Sequence, residues 1–480
     1  MKATRNRSLA LVLAALMALG GPPALSRPQR SFHSSRYIPY EEARPILEAL
    51  SELAPAELKA ASSPDIASSW LKWVAKRDAE IRSRLVQGDE DSLINLLLFG
   101  TSYTRRPRIT LKAVAQARQN VNSPEAAAFV EAISARASDL TQGIAAPGSN
   151  ERLLFARRLV ESKGYDVKTA PDRGRLTQYL LKGFTRVLSE QASYAKMLES
   201  ARLLGDPSQE FAERSRLFRD RGLSSDTSLT PNFAIESSLA SIKAKGLFAG
   251  ASVRRVAIVG PGLDFTDKQD GYDFYPQQTI QPFAVIDSLL RLGLARPGDL
   301  RVTTFDLSGR INDHLNRARA RAAQGVSYVV QLPRDSLWKP ELAGYWSKFG
   351  DRIGEPTTPV VAPPALGELR VRAVKIRPGV VSLISPQDLN IVFQRLDSPA
   401  GEQFDLMIAT NILVYYDVFE QSLALVNVEK MLRPGGILLS NNALLELPGS
   451  RMHSVDYETV IYSGRADDGD HIVWYQRSRD

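Results

Sequence analysis

The chain of 480 residues contains no cysteine, which excludes disulfides, thiolate metal sites and cysteine nucleophiles. Histidine is nearly as scarce. Its four copies, His33, His314, His453 and His471, are scattered and show no HExxH-type spacing, so neither a zinc site nor a serine–histidine hydrolase is expected. Blocks of one charge are missing as well. The 61 basic and 53 acidic residues are mixed along the chain, and a nucleic-acid surface is not expected from so even a distribution. No repeat recurs at a fixed period, and strand-like alternation is rare between residues 41 and 220.

Long apolar runs are represented by one stretch, "SLALVLAALMALG" at residues 8–20. It is too short for an ordinary membrane span. Lys2, Arg5 and Arg7 precede it, a helix-breaking "GPP" follows, and "ALS" suits cleavage after Ser26. This is the layout of a secretory leader. Residues 1–26 are therefore expected to direct export, periplasmic or secreted, with no membrane span left after cleavage and no cysteine for a lipid anchor. A non-functional leader would leave the protein cytoplasmic.

The remaining composition, 44% apolar and 24% charged, is that of a globular protein, and the length implies more than one core. Residues 27–218 read as an all-helical domain. "DIASSWLKWVAKRDAEIRSRL" carries helical spacing behind Asp65, a candidate cap, and "NSPEAAAFVEAISARA" offers Ser123 as cap and Pro124 at the first helical position. Residues 219–250 begin with the Ser/Asp/Thr-rich "RDRGLSSDTSLTPN", a linker by composition, and end in a lead-in helix. From 251 to 480 short apolar strands alternate with helices, which predicts a parallel α/β sheet. The strands are read as "RRVAIVG", "DLRVTTFDL", "VRAVKI", "FDLMIATNIL" and "GGILLSNNA". "SVDYETVIYS" and "HIVWYQRS" follow as an antiparallel hairpin. "VSYVVQLP" and the Pro-rich "GEPTTPVVAPPALGE" fit this alternation poorly.

The stretch that carries chemistry is "VAIVGPGLDF", residues 256–265. An apolar strand running into Gly-x-Gly allows a sharp turn close to a ligand. A dinucleotide-binding loop would have a third glycine where Phe265 stands, and a helix would begin at once to meet the pyrophosphate. Here a long polar and aromatic loop follows instead, with Tyr272, Phe274 and Tyr275. That loop could close over an acceptor or pack against the helical domain. S-adenosylmethionine has no phosphate, but its ribose diol calls for a carboxylate at the end of the second strand, where Asp306 stands. Asp388 and Leu389 stand near the third strand end, suited to adenine. Taken singly, each feature is also an ordinary turn or helix cap. The set occurs in order at successive strand ends, where open α/β sheets bind ligands.

The carboxyl-terminal 230 residues resemble class I S-adenosylmethionine-dependent methyltransferases. "FDLMIATNILVYYDVFEQSLALVNVEKMLRPGGILLSNN" and "TIQPFAVIDSLL" are similar to segments of chemotaxis-receptor-type protein glutamate methyltransferases. Gln281 stands where that family has glutamate, and Thr410 where it has arginine. The resemblance implies a Rossmann-like seven-stranded methyltransferase domain ending in an antiparallel hairpin, behind the helical domain. It implies S-adenosylmethionine as cofactor, with Gly260 and Gly262 toward its methionine part and Leu263 and Gln281 also among the cofactor-binding residues. Asp306 and Leu307 would meet ribose and adenine, Asp388 and Leu389 the adenine. Asn411 and Leu413 would follow the fourth strand, and Tyr415 would border the transferring methyl. No metal is implied. The methyl acceptor, small molecule or protein, and the oligomeric state are left open. The competing expectation is an exported, non-catalytic binding protein on the same scaffold.

Overall fold

The computed structural model describes residues 34–479, apart from 60–62, 111–112, 115, 118–119, 121, 205–221, 249–251, 266–271, 335–336, 368, 398, 400, 442 and 466–467. The expected leader, residues 1–26, lies outside the described residues. Ser35–Asp480 form one compact unit. Among the described residues no helix is long and apolar enough to cross a membrane.

A short strand β1 (Ser35–Tyr37) and helix α1 (Tyr40–Ala49) lead to the long helix α2 (Ser63–Phe99). Helices α3 (Pro124–Ala145), α4 (Glu151–Ser162) and α5 (Ala170–Leu204) follow. Ser123 caps α3, its side chain accepting from the Ala126 N–H, with Pro124 in the first turn. Asp65 is not the cap of α2. It sits inside the first turn, where an acidic side chain complements the helix dipole.

After helix α6 (Thr230–Ala244) comes the α/β part: β2 (Arg255–Val259), α7 (Gln281–Arg291), β3 (Arg301–Asp306) and α8 (Gly309–Ala322). An insertion then builds β4 (Tyr328–Arg334), α9 (Pro340–Lys348), β5 (Gly354–Thr357) and β6 (Arg370–Ile376). The chain returns through β7 (Ile384–Asp388), β8 (Gln394–Leu396), β9 (Phe404–Ala409), α10 (Val418–Met431), β10 (Leu432–Ser440), β11 (Met452–Ile461) and β12 (Gly469–Arg477).

Seven strands form one mixed sheet in the order β11-β12-β10-β9-β2-β3-β7. β7, β3, β2, β9 and β10 run parallel, while β12 pairs antiparallel with both β10 and β11. One strand reading is corrected. "VRAVKI" is β6, which lies with β4 and β5 in a separate three-stranded antiparallel sheet. The third parallel strand is β7, whose Pro386 pairs opposite Thr304. A proline is tolerated there because β7 is an edge strand.

Alternation along the parallel strands sends side chains to two cores. Val256 and Ile258 face one, with α6, α7, α8 and the insertion. Ala257, Val259, Phe305 and Met407 face the other, where Trp70 and Trp73 of α2 pack with Phe419 of α10. The far half of α2, from Leu93, joins α3, α4 and α5 in a third, helical core. Helix α2 thus serves both the sheet and the helical bundle. Two charge pairs reinforce its side of the sheet: Arg77–Glu420 at 2.8 Å and the buried Arg395 on Glu42 at 2.7 Å.

Candidate functional site

Strand β2 ends because Gly260 and Gly262 adopt φ of 65° and 70°, a left-handed conformation that costs other residues about 1–2 kcal/mol. No side chain would fit there in any case. A Cβ on Gly260 would lie 2.1 Å from Ile412 Cδ1, and one on Gly262 2.7 Å from Thr227 Cβ. The turn is therefore pressed against the chain that follows β9 and against the segment preceding α6. Gly260→Ala is expected to lower unfolding stability by about 2 kcal/mol or more, from strain plus the collision with Ile412. Urea unfolding checks this.

The turn opens onto a cavity across the carboxyl ends of β9, β2, β3 and β7. Thr410, Asn411 and Ile412 line it behind β9, and Gly260 and Gly262 behind β2. Asp306 and Leu307 line it behind β3, and Leu389 and Ile391 behind β7. Gln281, the first residue of α7, and Tyr415 complete the part foreseen in the sequence. The Gln281 Nε2 donates to Thr410 Oγ1 at 3.1 Å, tying α7 to the β9 turn. Asn411 is the one described non-glycine residue at positive φ, 59°. Asparagine bears that conformation better than most residues. Its N–H donates to Asn441 Oδ1 at 2.9 Å.

Three foreseen residues stand outside the cavity lining. Leu263 turns into the first core, and its N–H donates to the Ser225 carbonyl at 2.8 Å. Asp388 is taken by Arg82 of α2 at 2.7 Å. Leu413 is fully buried in the second core.

Sequence reading missed the opposite wall. Residues 222–229, which resemble a linker, run through the cavity mouth, with Ser225, Asp226 and Thr227 lining it. Leu85 of α2, Asn232 of α6 and Tyr416 line it too. A Ser/Asp/Thr-rich composition is the sole local signal, and it does not separate a cavity wall from a tether.

The aromatic loop is held by the helical part. Asp273 accepts from the Thr101 and Ser102 N–H groups at 2.8 and 3.0 Å. Buried Arg152 of α4 donates to the carbonyls of Phe265 and Tyr275. Tyr272 and Tyr275 are buried, so these two aromatics of the loop serve packing against the helices. Residues 266–271 lie outside the described residues.

The cavity's charges are of one sign. Asp226 and Asp306 line it, and among the described residues no Lys, Arg or His does. Burial pushes the Asp306 carboxyl up to about 7, against the pull of the Ser308 N–H at 2.8 Å and the positive charge of Arg310. Asp264, just beyond the glycine turn, is pushed up to about 6 by burial, with the nearby Asp226 carboxylate acting in the same direction. Asp264 accepts from the Tyr275 hydroxyl at 2.8 Å and Gln278 Nε2 at 3.1 Å. Such a site suits a cationic ligand with hydroxyl donors and rejects phosphates. The helix that follows the turn, α7, begins only at Gln281, so its N-terminus meets the cavity beside Thr410 and is not continuous with the glycine turn.

No protein-family model matches the chain, and no curated protein does. Among solved structures, TrmN from Thermus thermophilus is 15% identical, with 52% of each chain covered and a TM-score of 0.24. The match thus spans about half the length of TrmN. Magnesium protoporphyrin IX methyltransferase (ChlM) from Synechocystis PCC 6803, solved with bound SAM, is 9% identical. That match covers 51% of this chain and 79% of ChlM, with a TM-score of 0.24. A mutant form of MtNAS matches over 76% of this chain and 94% of its own, at 10% identity and a TM-score of 0.22. At such scores the superpositions are poor. The assignment to a Rossmann-like mixed α/β fold rests on the strand order of the molecule itself.

Proposed function

We propose that the chain is an S-adenosylmethionine-dependent methyltransferase of the class I type, with its cofactor across the ends of β9, β2, β3 and β7. One observation carries this reading. A cavity built on a close glycine turn is lined by two carboxylates and no described cationic side chain. The residues fit the cofactor. Asp306 offers its carboxylate to the ribose diol, and Leu307, Leu389 and Ile391 give adenine an apolar slot. The turn at Gly260–Gly262 brings backbone, not side chains, to the methionine part.

When bound, S-adenosylmethionine supplies a methyl already activated on a sulfonium. The protein's part is then to hold an acceptor in line and keep water out. Tyr415 and Asn411, beside the β9 turn, border the expected position of that methyl. The resemblance of residues 404–442 to chemotaxis-receptor-type glutamate methyltransferases, read from the sequence alone, is part of the same proposal and leaves the acceptor open. Export directed by residues 1–26 is a separate part of the proposal.

Calorimetric titration of the full chain with S-adenosylmethionine and S-adenosylhomocysteine tests it. Micromolar binding is expected, and Asp306→Ala should weaken it about 10- to 100-fold, the loss of charge-assisted hydrogen bonds from the diol. A folded wild-type protein that binds neither ligand would instead favour a non-catalytic scaffold.

A further inference from the structure

We propose that Asp226 and Asn232, on the segment and helix that precede β2, form the receptor for the α-ammonium group of the cofactor's zwitterionic amino-acid end. The inference rests on the cofactor reading above and adds the residues that recognise that end of the ligand.

Strand β2 provides no counter-charge. Val256–Val259 are apolar and buried, and the turn that follows brings two glycines and a proline. The sheet order places Asp306 on β3, next to β2, with β9 on the far side of β2. A ligand whose diol lies at Asp306 and whose adenine lies toward β7 therefore sets its other end over the β2 and β9 turns. Asp226 is fixed over the β2 turn. Ser225 on one side accepts from the Leu263 N–H, and Thr227 on the other abuts Gly262. The Asp226 carboxylate is held by the Ser92 hydroxyl of α2 at 2.9 Å.

Asn232 is an independent pointer. It is 2% exposed and lines the same cavity. Its Nδ2 donates to the carbonyls of Ser228 and Leu229 at 3.0 and 3.2 Å, which fixes the orientation of the amide. That leaves Oδ1 buried with no hydrogen-bond partner. A buried acceptor without a donor is costly, and an ammonium group, with three donors, satisfies it. The segment that reads as a linker thus becomes part of the site, and cofactor affinity depends on how helix α2 and α6 hold it.

The test is titration of full-length wild type and Asp226→Asn with three ligands: S-adenosylmethionine, S-adenosylhomocysteine and 5′-methylthioadenosine, which lacks the amino-acid end. Asparagine keeps the size of the side chain and an oxygen for Ser92. The variant is expected to lose at least tenfold in affinity for the first two ligands and less than twofold for the third, which also shows that the cavity is intact. Unchanged affinity for all three overturns the assignment. So does an equal loss for all three, which marks a structural role. Wild type that binds none of them overturns the cofactor reading, and this inference falls with it.

Discussion

Affinity for S-adenosylmethionine is expected to rise about fiftyfold between pH 5 and pH 7 and less than about twofold from pH 7 to pH 8. The cause is Asp306, whose carboxyl is raised to about 7 by burial. The ribose diol donates to the carboxylate form, so below pH 7 binding must first remove a proton. Folding stability should move the other way. An acid raised in the folded state binds its proton more tightly there than in the unfolded chain. Its stabilising contribution is complete below pH 4 and is lost as pH rises to about 7. From an unfolded value of 3.8 to a folded value of about 7, the loss amounts to roughly 4 kcal/mol. Asp264, raised to about 6, adds to the same trend. The two measurements together separate binding from structure. Asp306→Asn should flatten the affinity profile and remove the larger share of the stability change, the remainder belonging to Asp264. A variant that reduces the stability change in this way and leaves a steep affinity profile would show that Asp306 is a buried structural acid that does not touch the ligand.

The parts of this arrangement that were legible in the sequence are those written in local pattern. The glycine turn, Asp306 and the β9 turn with Asn411 each end or follow a short apolar strand, and the near-continuous burial of these strands makes the runs readable. What was not legible depends on distant chain. β7 carries Pro386 and is absent from the strands read in the sequence, because its place at the sheet edge is not written in its own residues. Asp388 looks available for a ligand until α2, three hundred residues earlier, brings Arg82 to it. Residues 222–229 have the composition of a tether. They become a cavity wall because Gly222 and Leu223 lie against Gly88 and Leu223 N–H donates to the Arg84 carbonyl on α2. In the last two cases a long-range contact with α2 overrides a local signal.

Helix α2 is for that reason the place where a single substitution should have the largest effect on the whole molecule. Trp70→Ala is expected to cost about 3–5 kcal/mol. The ring is 1% exposed, stacks on Trp73 at 5.2 Å and donates its indole N–H to the Ile38 carbonyl at 2.8 Å. Trp73 in turn meets Phe393 and Phe419 edge-on at 5.9 and 6.2 Å, so the loss reaches the back of the sheet under the cavity. Truncation leaves a void among these rings and removes the donor to Ile38. Val130→Ala on the exposed face of α3, 60% exposed, should cost under about 0.5 kcal/mol and serves as the control. Urea unfolding followed by both far-ultraviolet dichroism and tryptophan fluorescence reads the result. Coincident transitions, shifted together by Trp70→Ala, are expected, because Trp70 and the strand residues Ala257, Val259 and Met407 share one core. Two separate transitions, with the sheet keeping its wild-type midpoint, would mean that the helical and α/β parts fold independently and that α2 merely rests on the sheet. Cofactor affinity then should survive the substitution. In the coupled case it should fall with stability, because Leu85 and the 222–229 wall are held by the same helix.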